Sequence, residues 1–380
     1  MKIFYWAPFL SNIATVDAVL KSISSLNKYD KNKEFETHII DAVGEWSQND
    51  SRFKKVNIKK IYKKDIYKSL PKGSFLKSRT SQMIIFVKSL FNLKKMILKE
   101  MPDYFIAHLI ISLPLLLFSI FNFKTRLVIR ISGTPKLNFL RKFFWKLCSK
   151  KVYKVTCPTF STYNTLKKLK IFSDDKLVIL FDPVISVKEI NKLKHEKIDL
   201  KFRNNNYILG IGRLTKQKNF QLLIKAFSKI SKKISSLNLI ILGEGEDRGK
   251  LEKLAIDLSV EDKVDLIGYK SNVFNYLYNA KCFISSSLYE DPGFVIIEAG
   301  FLNKIVFAAD SKTGPSEILK MSKRGILYEN KNYEDLVKKY LDSMNFSDVK
   351  LNEKKLSLKK YSSNFTSFAH FKNLRKILVN

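Results

Sequence analysis

Cysteine is scarce in this 380-residue chain: Cys148, Cys157 and Cys282 are the only three, and no two of them form a Cys-x-x-Cys pair. That excludes a disulfide framework and a cysteine-built zinc site, and it points to a reducing compartment, taken here as the cytoplasm. Asp-x-Asp is absent throughout, so the sequence offers no short carboxylate motif for chelating a divalent ion, and neither a metal nor another cofactor is expected. The start, MKIFYWAPFL, has no signal-peptide core and no small-residue cleavage site, and it reads as a first strand. Acidic residues are outnumbered: 35 Asp and Glu stand against 69 Lys and Arg, a formal charge of +34.

The imbalance is uneven. Residues 1 to 185 carry 34 basic and 13 acidic side chains, and Tyr104 to Ser173 holds 13 Lys and Arg with no acid at all. Such a field concentrates an anionic partner, whether nucleic acid, an anionic membrane surface or a phosphorylated substrate. A Lys-rich composition that only keeps the surface solvated would give the same totals. No aromatic ribonucleoprotein signature, zinc spacing or glycine-flanked basic tail accompanies the charge, so nucleic acid is not the expected partner.

One long apolar run is present. Tyr104 to Phe123, YFIAHLIISLPLLLFSIFNF, carries no formal charge and is about the length that spans a bilayer. Pro114 divides it: the left half fits a buried strand, and the right half opens a helix at a position that proline tolerates.

The chain exceeds the roughly 250 to 300 residues at which single cores stop growing, so two domains are expected. In the first half KIFYWA, THIID, YFIAHL, RLVIRIS and YKVTCP read as strands; in the second, YILGIG, LNLIILG, KVDLIG, KCFISSS, KIVFAA and GILY. Helical stretches such as LNFLRKFFWKL, NFQLLIKAFSKI and GKLEKLAIDL separate them. Short buried strands alternating with helices predict α/β architecture with two parallel, doubly wound, Rossmann-like sheets. The join falls where Pro183 breaks a strand ahead of a polar run. The expected domains are therefore residues 1 to 185 and 186 to 355, with a helical tail, 356 to 380, able to pack back on the first. Ligands of such sheets bind beyond the carboxyl ends of the strands, so motifs should sit just after them.

They do. The second half's first strand ends in GIGRLTKQKNF, placing Arg213 and Lys218 on a loop that enters a helix, where free backbone N–H groups and two cations suit a diphosphate. The next strand ends at Gly243 and Gly245, and a third at Gly268 and Tyr269. After KCFISSS comes YEDPGFVIIEAG. Pro292 and Gly293 keep Glu290 in a loop, and a helix starting near Gly293 to Phe294 carries Glu298 in its first turns. Two carboxylates reaching one strand-end cleft can grip a polyhydroxyl ligand. A glycoside hydrolase pair, with carboxyls roughly 5 to 9.5 Å apart, is the rival chemistry, disfavoured by the neighbouring diphosphate cradle.

In order, GIGRLTKQKN, LGEGEDRGKL, LIGY and SLYEDPGFVIIEAG resemble the donor domain of glycosyltransferase family 4, retaining enzymes of the GT-B fold, two Rossmann-like domains facing across a cleft. The Glu-x7-Glu spacing from Glu290 to Glu298 is the family's most specific mark. The resemblance is strong over about residues 205 to 330 and weaker before them. It implies a nucleotide-sugar donor, UDP-sugar favoured, with Arg213 and Lys218 on the diphosphate, Glu298 on the ribose and Gly268 and Tyr269 at the base. Glu290, with the backbone at Gly293 and Phe294, would contact the transferred sugar, and His108 matches a histidine beside it. The family's Gly-Gly phosphate loop is replaced here by PFLSNIATVD, where Ser11 and Asn12 would have to serve. Retention is usually ascribed to front-face attack, so no covalent nucleophile is assigned.

The acceptor falls to the first domain, a glycan or a lipid-diphosphate-linked glycan in bacterial surface polysaccharide synthesis. LNFLRKFFWKLCSKK sets Leu140, Phe143, Phe144 and Leu147 on one face and Arg141, Lys142, Lys146 and Lys150 largely elsewhere, the pattern of an interfacial helix. Arg52 to Arg79 adds 11 basic residues against Asp65 alone. Peripheral attachment to the inner face of the cell membrane is the expectation, although burial of that helix on its own sheet would give the same pattern. A nucleic-acid-binding or membrane-binding protein without transferase activity is the alternative.

Overall fold

Where four to six apolar or β-branched residues run together, strands form. The computed structural model describes residues 1–10, 14–48, 50–62, 64–71, 73, 75–131, 133, 135, 137–198, 206–311 and 313–379. Its first unit has strands β1 (Lys2–Trp6), β2 (Glu36–Asp41), β3 (Asn57–Lys60), β4 (Tyr104–Ala107), β5 (Arg126–Arg130), β6 (Val152–Cys157) and β7 (Leu177–Ile179). All pair in parallel in the order β3-β2-β1-β4-β5-β6-β7. Ile3, Phe4, Tyr5 and Trp6 of β1 are buried on both faces of the sheet, which is why the strand reads as a continuous apolar run rather than an alternation.

Helices α1 (Ala14–Tyr29), α2 (Phe75–Glu100), α3 (Ser112–Ile120), α4 (Phe139–Cys148) and α5 (Phe160–Leu169) complete this unit's crossovers. The long apolar run is divided as its proline predicts: β4, then α3, with Pro114 third in the helix, where no intrahelical donor is needed. Among the described residues no helix is long and apolar enough to cross a membrane. The basic stretch from Arg52 to Arg79 is not one loop; it holds β3 and the first turn of α2. Lys2 of β1 and Lys59 of β3 both donate to Glu100 at the end of α2, at 2.6 and 2.8 Å, and these bonds pull its carboxyl down to about 2.

The second unit carries β8 (Tyr207–Ile211), β9 (Asn238–Leu242), β10 (Val264–Gly268), β11 (Cys282–Ser285), β12 (Ile305–Ala309) and β13 (Ile326–Tyr328) in the parallel order β10-β9-β8-β11-β12-β13. Its helices are α6 (Val187–Leu193), α7 (Phe220–Lys233), α8 (Arg248–Asp257), α9 (Phe274–Asn279), α10 (Phe294–Phe301), α11 (Pro315–Leu319), α12 (Tyr333–Met344) and α13 (Asp348–Ser362). The apolar stripe of α7, Leu223, Phe227 and Ile230, is buried in this unit's core.

The chain divides into Met1–Pro183 with Ser367–Asn380, and Val184–Thr366. The tail returning to the first unit thus begins at Ser367 rather than at residue 356, because α13 packs on α10 of the second unit with Leu358 buried. Only α14 (Ser367–Val379) crosses back, laying Leu374 and Leu378 against the first unit's core beside α1.

A buried polar chain pins α14. His370 Nδ1 lies 2.7 Å from the Phe181 carbonyl, which can only accept, so Nδ1 carries the proton and Nε2 accepts from Ser22 Oγ at 2.8 Å; Ser22 in turn is 3.2 Å from the Tyr5 hydroxyl. Burial holds the His370 pKa down at about 4. The unfolded chain binds that proton near pH 6.5, so this stability is complete above 6.5 and drains away as pH falls towards 4, by about 3 kcal/mol. Urea unfolding between pH 7.5 and 5 is expected to show about 2 kcal/mol of that loss, and His370→Gln to flatten it. An unchanged slope in the variant would remove His370 as the source.

Candidate functional site

Each sheet reverses its strand order once, in the second unit between β8 and β11, and at such a switch the loops leaving two neighbouring strands diverge to leave a crevice. The loop after β8 carries Arg213 to Asn219, and the loop after β11 carries Ser286 to Gly293. Backbone and side-chain bonds stitch the two together. Leu288 N donates to Gln217 O at 2.8 Å, Gln217 Nε2 to Tyr289 O at 3.0 Å, and Ser286 Oγ to Lys218 O at 2.8 Å.

That stitching brings Lys218 and Glu290, 72 residues apart, into an ion pair whose side chains are 18% and 14% exposed. The same oxygen of Glu290, Oε1, accepts from Ser287 Oγ at 2.7 Å. Thr313 Oγ1 donates to the Glu290 carbonyl. Beside it Gly314 has φ +26°, and a Cβ there would stand 2.0 Å from the Pro292 carbonyl oxygen, so only glycine admits this approach. The Asp291–Pro292 peptide is cis.

The helix after the loop starts at Phe294, as its turn predicts, with Gly293 at the N-cap and no side chain capping the first amides. Glu298 follows in its second turn, half-buried. Arg213 is exposed, and among the described residues no carboxylate forms an ion pair with it. The glycine rims lie side by side across β8, β9 and β10: Gly212 N donates to Leu242 O and Gly243 N to Gly268 O, both at 2.9 Å. At Gly243, φ is +145° and a Cβ would sit 1.8 Å from the Gly212 oxygen. Tyr269, next along from Gly268, is 76% exposed.

In the first unit the switch lies between β1 and β4, and a cavity of about 890 Å³ opens there, lined by Pro8 to Leu10 after β1, His108 to Ser112 after β4, and residues of α2 and α4. His108 is buried. Its backbone N donates to Trp6 O at 2.8 Å, but its Nδ1 has no partner. Burial, then the charge of Arg130, hold its pKa well below the ordinary histidine value, so the ring is neutral. Ser11 and Asn12 lie outside the described residues.

Helix α4 is not buried on its sheet by the face the sequence pattern marks. Phe139, Leu140, Phe143 and Leu147 are 62 to 81% exposed, whereas Trp145 and Cys148 point inward and Phe144 packs half-buried on the core. Phe144 thus leaves the face assigned to it. Helix α2 adds Leu76, Met83, Val87, Phe91 and Leu98, all exposed.

Thr313, Gly314 and Ser287 escaped the sequence reading. The Gly314–Pro315 dipeptide is a turn signal that could have marked the first two, but nothing local in SSSLYE singles out Ser287.

Residues 191–362 match the family model described as Glycosyl transferases group 1, a little under half of the chain. A 220-residue stretch is 31% identical to the N-acetylgalactosamine-N,N'-diacetylbacillosaminyl-diphospho-undecaprenol 4-alpha-N-acetylgalactosaminyltransferase of Campylobacter jejuni, covering 56% of this chain and 58% of that protein. Another of 144 residues is 33% identical to a poly(ribitol-phosphate) alpha-N-acetylglucosaminyltransferase of Staphylococcus aureus, covering 38% of this chain and 29% of that one. The chain thus spans less than two thirds of the length of these curated relatives. The Anabaena protein HepE, crystallised with UDP, superimposes over 100% of both chains at a TM-score of 0.72 with 14% identity, a likeness that bears on fold alone. The fold is GT-B, with two parallel α/β units in one chain.

Proposed function

We propose that this protein is a retaining glycosyltransferase that moves a sugar from a nucleotide-diphosphate donor, UDP-sugar first among them, to a glycan or lipid-linked glycan during surface polysaccharide synthesis. The observation that carries the reading is the Lys218–Glu290 pair at the β8/β11 switch point, inside the stretch that matches the group 1 model. Relatives that act on diphospho-undecaprenol-linked and poly(ribitol-phosphate) acceptors support the acceptor class.

In this reading Arg213 and Lys218 hold the diphosphate, Glu298 accepts from the ribose hydroxyls, and the base lies at Gly268 and Tyr269. The uncapped amides at Gly293 and Phe294 face the donor, with Glu290 on the transferred sugar and His108 beside it. The acceptor oxygen attacks the anomeric carbon on the face the leaving group departs from. The bond from that carbon to the phosphate oxygen breaks, its electron pair goes to the phosphate, and the acceptor's proton follows it. The protein's part is electrostatic: fixed cations and amides where charge develops on the departing diphosphate, in place of a divalent ion. Ser11 and Asn12 are assigned to the phosphates.

The test is thermal unfolding against a panel of nucleotide sugars with EDTA present. The matching donor at a hundred times its Kd is expected to add about 2.7 kcal/mol of stability. No shift with any donor, alongside tight salt-sensitive DNA binding, would sink the reading.

The exposed apolar residues of α4 and α2 lie among Arg141, Lys142, Lys146, Lys88 and Lys95, an arrangement suited to the anionic inner face of a cell membrane. Each basic residue near such a surface contributes about 1 kcal/mol at low salt. Flotation should therefore recover the protein with anionic vesicles at low ionic strength and leave it behind with neutral ones. Equal recovery with both would argue against charge as the attractant.

A further inference from the structure

We propose that Arg79 of α2 and Arg141 of α4 form a binding site, in the first unit's cavity, for a phosphate group borne by the acceptor. This rests on the transferase reading and narrows its acceptor to a phosphate-linked one.

Arg79 and Arg141 both line the 890 Å³ cavity, each from a different helix, and both are exposed to solvent. None of the described residues lining it is acidic. Burial and the neighbouring charge of Arg79 hold Arg141 below the usual arginine range. A phosphate entering the cavity meets two arginines on one wall, and arginine forks match phosphate oxygens two at a time. Arg141 is also positioned in advance. Its backbone N donates to the Asn138 side chain at 2.9 Å in the first turn of α4, and its guanidinium lies 5.6 Å from the centre of the Trp145 ring.

The third arginine on the wall, Arg130, is committed elsewhere, to a two-oxygen ion pair with Asp182. The same wall holds His108, neutral and buried, with Nδ1 lacking any partner, a group waiting for a hydroxyl. Met83 and Phe86 supply an apolar wall, and Met83 is itself exposed on the outer stripe of α2. The cavity thus offers a cationic end, a hydroxyl-bonding imidazole and an apolar side. That combination fits a sugar whose phosphate link joins it to something apolar better than it fits a neutral glycan.

The test titrates the full chain, with UDP saturating so that the donor site is filled, against farnesyl diphosphate, glucose 1-phosphate and farnesol. Farnesyl diphosphate is expected to bind, and Arg79→Gln and Arg141→Gln each to weaken it by about tenfold or more, with the lysine variants losing less. Glucose 1-phosphate binding that shows the same losses would support the site and assign the phosphate to the glycan rather than to a lipid link. Unchanged affinity in both glutamine variants, farnesol binding as tightly as its diphosphate, or no binding of either phosphate probe would overturn the proposal. UDP binding by the variants checks their folding. Wild-type protein that binds farnesyl diphosphate but neither UDP nor any nucleotide sugar would refute the transferase reading and leave the phosphate site standing.

Discussion

Lys218→Ala is expected to lower kcat/KM for donor consumption by roughly 10²- to 10³-fold, about 3 to 4 kcal/mol, the cost of removing one preorganised group from developing charge. Two effects combine. In the proposed transferase the departing diphosphate loses a cation, and Glu290, only 14% exposed, loses its ion-pair partner and keeps the hydrogen bond from Ser287. Glu290→Gln retains the hydrogen bond from Ser287 but breaks the ion pair, so it should cut kcat while leaving donor affinity nearer wild type. Glu298→Gln, on a different backbone element, should act the other way and raise the donor KM. Because Lys218 and Glu290 touch, the double substitution should cost less than the two single losses together. Steady-state kinetics on the wild type and the four variants decides it: wild-type kcat in Glu290→Gln, or strict additivity of Lys218→Ala with Glu290→Gln, would remove the pair from the chemistry, and a wild-type donor KM in Glu298→Gln would remove that acid from the donor site.

Arg130→Ala should destabilise the first unit by about 3 to 5 kcal/mol, the usual cost of stranding one member of a buried ion pair. Arg130 at the end of β5 donates through Nε to Asp182 at 3.1 Å, and through a second nitrogen to both carboxylate oxygens. The two side chains are 7% and 5% exposed, so the abandoned carboxylate would have little access to water. The neighbouring Phe181 carbonyl receives His370 of α14, so the segment where the chain leaves the first unit is held both by the sheet and by the returning helix. For a unit of this size the loss lowers Tm by roughly 10 °C. Replacing both partners with apolar residues, Arg130→Met with Asp182→Leu, should recover most of it. A single variant that melts with the wild type would show that the pair contributes little.

What the sequence determined alone is everything that local chemistry encodes. Buried parallel strands are apolar throughout, so 11 of the 13 strands of β1 to β13 are visible as short apolar runs. The two that are not, NIKK in β3 and LVI in β7, form the edges of the first sheet, where lysines or three-residue strands suffice. Turn residues mark where strands end, and ligands of such sheets bind beyond strand ends, so Arg213, Lys218, Gly268, Glu290 and Glu298 could be picked out as candidates before any coordinates. Pro114 divided the apolar run because a missing N–H is a local fact. Helix α2 escaped because Ile84, Ile85, Phe86 and Val87 run together and blur its period, and α1 because its serines and threonine resemble a loop.

Only the tertiary structure decided which of these groups meet. Lys218 finds Glu290 because β8 and β11 are neighbours at the switch point, and strand order is a property of the sheet, not of any window of residues. The same holds for Ser287 and Thr313 around Glu290, for α14 leaving its neighbours to pack on α1, and for Arg79 and Arg141 lining one cavity from two helices. Helical periodicity could place Phe144 with Phe143 and Leu147, but it cannot say which side the sheet takes. The core took Trp145 and Cys148 with half of Phe144, and left the rest outside. Periodicity is written by residues three or four apart, whereas a site is written by residues brought together from far along the chain, and the sheet order that joins them is settled only when both cores pack.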